Sequence, residues 1–559
     1  MKKFKDFVYT RPDFSKEEEA IRKYTDDLKK ASDYEEFRRI LMEREEEASH
    51  FYTMETVASI RNTMDTTDAF YEAEMNAFYE EHARLILLYQ EADAAFLASP
   101  FIEPFRKEFG NIPIQKKEIA QKLANPAVAE DFTKESMLCQ EYSRIISSCR
   151  VEFRGETCSF SGLLKHMESV DQKERQEAFR AWADLYAGVA AALDTVYDKM
   201  IALRRGMAEK LGFDSFISMS YARMGRMDYT PEDVAVFRRQ VLKEVVPLCT
   251  ELYEKQAKRI GLEKLEWYDE ALAYPDGNAV PNGSKDEMLA AAQKMYRELS
   301  PETAEFFDFM MEHDLFDLET RPGKQPGGYC TTLRDEKAPF IFANYNGTSA
   351  DVDVLTHEAG HAFEGYVAGR IHPLSCMVWS TSEINEIHSM SMEFFTHPWM
   401  EGFFVDESAA DRYRESHLAS SLEVLPYMIC VDEFQHRVFE ENLDAAGRRR
   451  VWHELEQTYM PWRSYDGNEF LEGGGFWMQK LHIFLHPFYY IDYALAQMGA
   501  FEFYQKMSED RAQAWEDYYK LCRSGGSRGY FETLEYAGLS NPFKEGTVRK
   551  VMEFIKTKL

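Results

Sequence analysis

Apolar residues recur at helical spacing through much of the chain. One stripe between residues 231 and 248 consists of Val234, Phe237, Val241, Val245 and Leu248. A second stripe between residues 285 and 299 consists of Met288, Leu289, Ala292, Met295, Tyr296 and Leu299. Alternating apolar and polar positions are scarce, so the pattern predicts a mostly α-helical protein.

Polar residues mark the expected starts of several helices. Thr230 precedes Pro231 and two acids, the order typical of a helix N-terminus. Two more helices are predicted to begin at capping boxes, in which a glutamate follows a serine by three positions: Ser15 with Glu18, and Ser284 with Glu287. Pro247 is expected to kink or end the helix that contains it.

Strand signals are few. Residues 151–154, followed by Gly155, predict a short strand and turn, and residues 339–345 predict a longer strand that ends at Asn346-Gly347. Residues 374–380 are a possible third strand. Within the longer strand, residues 342–345 are a candidate edge for holding an extended peptide. Residues 268–283 and 321–328 are rich in Pro and Gly and predict loops.

The length of 559 residues favours two lobes or subdomains over one small core. We place the predicted boundary near residue 200. Residues 1–200 form a charged, helical N-terminal region without chemical motifs, and residues 201–559 contain the candidate catalytic parts.

The formal charge of -31 argues against two classes of partner. Such a surface repels the phosphates of nucleic acids and disfavours anionic membranes. The N-terminus lacks the apolar segment of a secretory signal, and no apolar run reaches the ~18 residues needed to span a bilayer. We therefore expect a soluble cytoplasmic protein. Neither charge nor periodicity specifies an oligomeric state.

The eight cysteines are scattered along the chain. None of them forms a C-x-x-C pair, so the spacing predicts no cysteine zinc site. In a chain of this length, sparse cysteines are more typical of free thiols than of a disulfide framework.

The segment His357-Glu358-Ala359-Gly360-His361 has the H-E-x-x-H pattern of zinc peptidases. On a helix, His357 and His361 lie four residues apart on one face and can bind one cation. Glu358 then lies where it can take a proton from a water bound to that cation. Asp351 or Ser349 is expected to cap this helix, and Gly369 to end it.

A hydrolytic zinc site usually has a third protein ligand. Position 367 is Val367 rather than the third histidine of metzincins. Glu386 lies 25 residues after His361, far enough for a second helix to cross beside the first. Glu364 and Glu383 are rival ligands. Glu393, two turns beyond Glu386, is expected to accept a hydrogen bond from a ligating histidine.

HEAGH followed by the segment EIHSMSME resembles the thimet oligopeptidase and oligoendopeptidase F family of zinc metallopeptidases. FIFANYNGT before the HEAGH segment and a tyrosine-rich stretch near the C-terminus are also similar. The resemblance covers residues 200–559, and the length suits the shorter Pz-peptidase-like members of the oligoendopeptidase F side.

The resemblance implies a fold and an activity. The fold is a mostly α-helical ellipsoid of two lobes around a deep substrate channel, with a small β-sheet near the zinc helix, and the N-terminal region covers the channel. The activity is cleavage of short unfolded peptides, which a narrow channel admits while excluding folded proteins. One zinc ion per chain would be held by His357, His361 and Glu386, with Glu358 as general base.

Residues 482–493 carry a second group of candidate catalytic side chains. A phenol stays protonated at neutral pH and can donate to the oxyanion formed when water attacks a peptide carbonyl. Tyr490 and Tyr493 are predicted to share a helix face, and His482 is a candidate for substrate binding or for stabilising the transition state. A packed aromatic face and a structural histidine are the alternatives. Thimet-type members have glycines directly before their tyrosines, where this chain has residues 486–488, so Tyr489 is an alternative donor.

Two other functions fit the same motif. A zinc carboxypeptidase would share the H-E-x-x-H segment and a distant glutamate, but would need a cationic side chain for the free carboxylate of its substrate. A non-catalytic peptide-binding scaffold would typically have lost Glu358 or a ligand, and all of these residues are present.

Overall fold

A computed structural model describes residues 1–559, and most of them lie in α-helices, which confirms the predicted fold class. The first eleven helices are α1 (Phe14–Lys30), α2 (Tyr34–Met64), α3 (Ala69–Leu97), α4 (Ile102–Phe109), α5 (Ile112–Leu123), α6 (Ala129–Ser148), α7 (Phe160–His166), α8 (Gln172–Lys210), α9 (Phe216–Arg223), α10 (Pro231–Glu244) and α11 (Val246–Arg259). The others are α12 (Lys285–Leu299), α13 (Pro301–Glu312), α14 (Ala350–Ile371), α15 (Ser382–Thr396), α16 (Glu407–Glu423), α17 (Leu425–Glu441), α18 (Ala445–Tyr459), α19 (Leu481–Leu485), α20 (Ile491–Glu509), α21 (Arg511–Ser524), α22 (Tyr530–Tyr536) and α23 (Thr547–Ile555).

The strands form two small sheets. They are β1 (Val151–Phe153), β2 (Glu156–Cys158), β3 (Phe316–Glu319), β4 (Tyr329–Leu333) and β5 (Ala338–Tyr345). β1 and β2 form an antiparallel hairpin, and the second sheet has the order β3-β5-β4, with β3 parallel and β4 antiparallel to β5. The predicted strands at residues 151–154 and 339–345 are confirmed. The predicted edge at residues 342–345 is wrong for Phe342, which pairs with both β3 and β4, whereas residues 343–345 extend beyond β4 and have no strand partner on that side.

The predicted strand at residues 374–380 is also wrong. Ser375–Met377 form one turn of 3-10 helix instead. A carboxylate of Glu45 accepts a hydrogen bond from the backbone N–H of Ser375, and the ammonium of Lys116 donates to the carbonyl oxygen of Cys376 over 2.7 Å. Contacts made by residues far away in the sequence therefore override the local β-propensity.

The predicted helix starts agree with the structure at two of three positions. Thr230 and Ser284 cap α10 and α12 in capping boxes. Ser15 does not cap α1, because that helix begins at Phe14 and Asp13 accepts the hydrogen bonds of its first turn. At residue 247 the prediction is confirmed: α10 ends at Glu244, and Pro247 lies in the first turn of α11.

The chain divides into two compact units, each made of three segments. Unit 1 contains Met1–Ala124, Val280–Ala410 and Gly499–Ser540. Unit 2 contains Asn125–Ala279, Asp411–Met498 and Asn541–Leu559. The functional division at residue 200 stays a prediction, since compactness does not test which part of the chain covers a channel.

Each unit has its own buried core. In unit 1 the sheet of β3, β4 and β5 packs beside α14, and the residues from Ala338 to Ala343 are buried in succession. A continuous apolar run of this kind is typical of a strand covered on both faces. In unit 2 the fully buried Trp452 and Trp477 lie among helices, and Arg448 is neutralised there by Asp194 and Asp198.

No single helix is both long enough and apolar enough to cross a membrane. α3 and α4 meet the length and composition test only when taken together, and they are bent by 94° at their junction.

Candidate active site

α14 carries the H-E-x-x-H segment and starts immediately after the sheet. β5 ends at Tyr345, and the turn that follows contains Gly347, with a positive φ of 86°. The carboxylate of Asp351 accepts hydrogen bonds from the backbone N–H groups of Asn346 and Gly347 over 3.0 and 2.8 Å. Asp351 therefore stabilises the turn at Asn346 and Gly347 and does not cap α14.

The predicted ends of α14 differ from the observed ones. Ser349 occupies the N-cap position without a side-chain hydrogen bond. The helix also runs past Gly369 and ends at Ile371, so the predicted stop at Gly369 is wrong. The backbone of Gly369 is helical, and so it does not form the left-handed cap on which that prediction relied.

α14 and α15 bring His357, His361 and Glu386 together. One ligand atom from each residue lies within 4.8 Å of the other two. Oε2 of Glu386 lies 3.3 Å from Nε2 of His357 and 3.5 Å from Nε2 of His361. Bonds of about 2.0–2.1 Å around tetrahedral zinc place neighbouring ligand atoms about 3.3–3.4 Å apart. The spacing therefore fits a cation between the three side chains.

Hydrogen bonds orient two of these side chains. Nδ1 of His357 lies 2.7 Å from Oε1 of Glu393, as the sequence spacing predicts. This contact leaves Nε2 of His357 directed at Glu386 and fixes the tautomer that a metal ligand needs. The hydroxyl of Ser389 donates to Oε2 of Glu386 over 3.1 Å, a contact that the sequence analysis missed.

The charges of the site lower the pKa of one group and raise that of another. Burial alone would raise the pKa of Glu386, but the hydrogen bonds and charges of His357 and His361 hold it well below its usual range. Burial alone would lower the pKa of His357, but Glu386 and Glu393 raise it well above the ordinary value. Glu386 and Glu393 therefore favour the protonated form of His357. A metal ion that binds to His357 has to displace that proton.

Glu358 has a carboxylate oxygen that forms no hydrogen bond with the rest of the protein. The side chain is only 8% exposed, and its Oε2 atom is buried without a hydrogen-bond partner. Burial raises the pKa of Glu358, against the opposing charges of His357 and His361. A Cβ on Gly328 would lie 3.3 Å from Oε1 of Glu358, so a glycine keeps the space beside this carboxylate open.

The rival ligand Glu364 has a different environment. It is fully buried, and its Oε2 lies 3.2 Å from Nδ1 of His388, which is also fully buried. Burial raises the pKa of Glu364 well above its ordinary value and lowers the pKa of His388 to about 3. Burial therefore disfavours the charged form of each of these two residues. The other rival, Glu383, is 1% exposed and does not belong to the cluster of His357, His361 and Glu386.

Gly360 lets α14 and α15 approach closely enough to form the site. A Cβ on Gly360 would lie 2.6 Å from Cα of Ser389 and 2.7 Å from the carbonyl oxygen of His388. The hydroxyl of Tyr518 donates to the same carbonyl over 3.0 Å and fixes it in place. The small residue inside the H-E-x-x-H motif is thus a packing requirement at the helix crossing.

We expect Gly360→Ala to lower the free energy of unfolding by about 1–3 kcal/mol or more, because the new methyl group overlaps backbone atoms of α15. Gly369→Ala in the same helix is the matched control. Its Cβ would meet nothing closer than Cγ1 of Val378 at 4.0 Å, so the helix propensity of Ala should stabilise it by up to about 1 kcal/mol. Thermal unfolding of both variants checks this, and equal melting temperatures would contradict the packing argument.

The candidate residues near the C-terminus lie in unit 2 and form an aromatic cluster. The ring of His482 lies 4.9 Å from that of Tyr490 and 6.2 Å from that of Tyr493, measured between centroids. Tyr489 joins them, 5.3 Å from Tyr493. Tyr490 precedes α20 and Tyr493 lies in its first turn, so the predicted common helix face is wrong, although their rings lie 5.6 Å apart.

Lys480 is a candidate functional residue that the sequence analysis missed. Its ammonium donates to the hydroxyl oxygen of Tyr490 over 3.0 Å and lies 4.4 Å from the centre of that ring. A cation at the phenol oxygen makes the O–H group a stronger hydrogen-bond donor. No sequence motif marks Lys480.

Two sequence profiles match this chain. Peptidase family M3 matches residues 165–553, and the Peptidase M3 N-terminal domain matches residues 4–124. A protein described as an oligoendopeptidase F homolog from Borreliella burgdorferi is 23% identical over 403 residues, which are 70% of this chain and 66% of the relative. The match thus spans slightly less than two thirds of that relative.

Solved structures are similar over the whole chain. Pz peptidase A in complex with an inhibitor is 42% identical, with a TM-score of 0.93 over 100% of this chain and 99% of the other. A putative oligoendopeptidase F from Bacillus anthracis is 39% identical, with a TM-score of 0.88 over 100% of this chain and 98% of the other.

Proposed function

The chain belongs to peptidase family M3, and from this premise we propose that it is a zinc-dependent oligoendopeptidase that hydrolyses internal bonds of short unfolded peptides. The observation that carries the proposal is the spacing of the three ligand atoms in His357, His361 and Glu386, beside the buried and unpartnered Oε2 of Glu358. The description of the relatives as oligoendopeptidase F supports the internal cleavage.

The donor set fits zinc. Two imidazoles and one carboxylate make up the three protein ligands found in many hydrolytic zinc sites, where a fourth position stays open. When bound, zinc supplies Lewis acidity for the scissile carbonyl and lowers the pKa of a water molecule to near neutrality. The chain contributes the orientation of His357 through Glu393 and that of Glu386 through Ser389.

Glu358 moves the proton in the proposed reaction. Its carboxylate accepts a proton from the attacking water and then delivers it to the leaving amine. Burial raises the pKa of Glu358, which makes its carboxylate a stronger acceptor for the proton of the attacking water. No covalent intermediate is required.

The edge strand β4 is suited to hold the substrate backbone. It follows Gly328, which lies beside Glu358, and its outer side has no neighbouring strand in the sheet. An extended peptide can pair with such an edge through main-chain hydrogen bonds, which do not depend on side-chain identity. This mode suits an enzyme that accepts many peptide sequences.

We assign stabilisation of the oxyanion to a tyrosine of the aromatic cluster in unit 2, and this assignment rests on the sequence resemblance. Tyr490 is favoured by the ammonium of Lys480 on its hydroxyl oxygen. Tyr493 and Tyr489 are the alternatives, and His482 would bind substrate. Removing one donor to an oxyanion typically costs about 10²–10³-fold in kcat.

An internally quenched peptide blocked at both ends tests the proposed function. We expect internal cuts, loss of activity when the metal is chelated, and recovery with zinc. In the same assay Tyr490→Phe should lower kcat more than KM rises, with Tyr493→Phe as its matched comparison. Mass spectrometry identifies the products.

Stepwise loss of residues from a free C-terminus, with no cut in the blocked peptide, would instead identify a carboxypeptidase. Binding of peptides without any cleavage would identify a scaffold. Full activity after complete metal removal would reject the metal mechanism altogether.

A further inference from the structure

We propose that unit 2 carries a second cation site, formed by Glu156, Cys158 and His166, that takes zinc or a similar borderline-soft divalent ion. One ligand atom from each side chain lies within 4.8 Å of the other two. This site consists of residues from unit 2, whereas His357, His361 and Glu386 lie in unit 1.

The hairpin places the first two ligands on one face. Glu156 and Cys158 are two residues apart in β2, so their side chains point to the same side of the strand. Their partners in β1, Phe153 and Val151, lie on that side as well.

α7 follows β2 after a single residue and supplies the third ligand. Ser159 caps the helix, and His166 is its last residue. The ring of His166 lies 4.9 Å from the ring of Phe153, which shows that the end of α7 packs against the same face of the hairpin.

The ligand types select the ion. A thiolate and an imidazole are ligands that zinc prefers, whereas magnesium and calcium prefer all-oxygen sites. Three protein ligands leave a fourth position for water, as in other open zinc sites. Cys158 is only 5% exposed, while Glu156 is exposed and His166 half-buried. An ion can therefore enter from solvent and still meet a thiol that is shielded from it.

A carboxylate holds the imidazole of His166 in place. Nδ1 of His166 lies 2.7 Å from Oε1 of Glu174, and the hydroxyl of Ser169 donates to the other carboxylate oxygen of Glu174 over 3.0 Å. With Nδ1 engaged, Nε2 remains for a cation. A carboxylate behind a histidine is the arrangement that commonly supports a metal ligand.

Two of the three proposed ligands lie outside the ranges that the family profiles match. Glu156 and Cys158 lie between the matched ranges 4–124 and 165–553. The spacing is E-x-C followed by a histidine eight residues later, so a search for C-x-x-C pairs misses it. The thiol becomes a candidate ligand only when the hairpin and α7 are seen together.

Cobalt substitution tests the proposal, because a thiolate bound to Co²⁺ gives a charge-transfer band in the near ultraviolet and the unit 1 site contains no cysteine. We expect the reduced, metal-free full chain to show this band on titration with cobalt chloride. With zinc chloride it should retain about two equivalents of zinc after dialysis, one for each three-ligand site. Cys158→Ser should lose the band and retain one equivalent.

Cys139→Ser is the matched control, because Cys139 is a free thiol elsewhere in unit 2, and this variant should behave like the parent. His166→Gln keeps the thiol and should also lose the band. This variant tests the site independently if Cys158→Ser misfolds. Circular dichroism checks the fold of each variant. Absence of the band from the parent, or its persistence in Cys158→Ser, would overturn the proposal. Both outcomes can be read whether or not the unit 1 site binds metal.

Discussion

Glu358→Gln is expected to lower kcat/KM on a blocked peptide by about 10²–10⁴-fold while leaving the zinc content unchanged. The amide has nearly the same shape as the carboxylate but cannot accept the proton of the attacking water. Because Oε2 of Glu358 has no partner within the protein, the substitution breaks no hydrogen bond of that atom in the fold. Activity should therefore fall without a change in melting temperature.

Two further variants sharpen this test. Glu358→Asp keeps the carboxylate on a side chain that is one methylene shorter. The activity of this variant should therefore lie between those of the parent and Glu358→Gln. Glu312→Gln removes a negative charge from an exposed position in the same unit and should be neutral. If Glu358→Gln cleaved peptides as fast as Glu312→Gln, another group would have to be the base.

Glu386→Gln is expected to cost the site formed with His357 and His361 most of its zinc. The substitution removes the one anionic ligand of the three and leaves two imidazoles that retain metal poorly. Glu393→Gln is the graded comparison, because it alters the hydrogen bond behind His357 without removing a ligand and should weaken zinc binding by about 10–100-fold. The loss in Glu386→Gln should exceed that value.

Competition with a chromogenic chelator measures both affinities, and zinc content after dialysis gives an independent check. Affinity should also fall as the pH is lowered, because Glu386 and Glu393 raise the pKa of His357 and protons then occupy the nitrogen that zinc needs. Parent-like zinc affinity in Glu386→Gln would remove this residue from the ligand set.

The helical fold and the main metal-binding helix could be predicted from the sequence, because both depend on the spacing of residues close together in the chain. Residues four apart share a helix face wherever the helix lies. Local spacing also links Glu386 and Glu393, which are two turns apart on α15 and therefore lie on the same face of that helix. Their roles as ligand and orienting group stay predictions, although the observed distances support them.

Features that depend on contacts between distant segments could not be predicted in this way. β3 and β4 mix polar and apolar residues, so they acquire their strand character only by pairing with β5. The importance of Gly360 depends on how closely α15 passes. The hydrogen bond from Lys480 to Tyr490 depends on the loop between α19 and α20, where Phe488 adopts a positive φ of 65°.

The division of each unit into three segments has a consequence for how the protein is made. α15 ends at Thr396, whereas the last segment of unit 1 ends at Ser540, which is 144 residues later. At typical synthesis rates this interval lasts about 7–30 s. His357, His361 and Glu386 are all made before Tyr518, which follows Glu386 by 132 residues and anchors the carbonyl of His388. The nascent chain therefore presents its metal-binding side chains to the cell before the unit that holds them in place is complete.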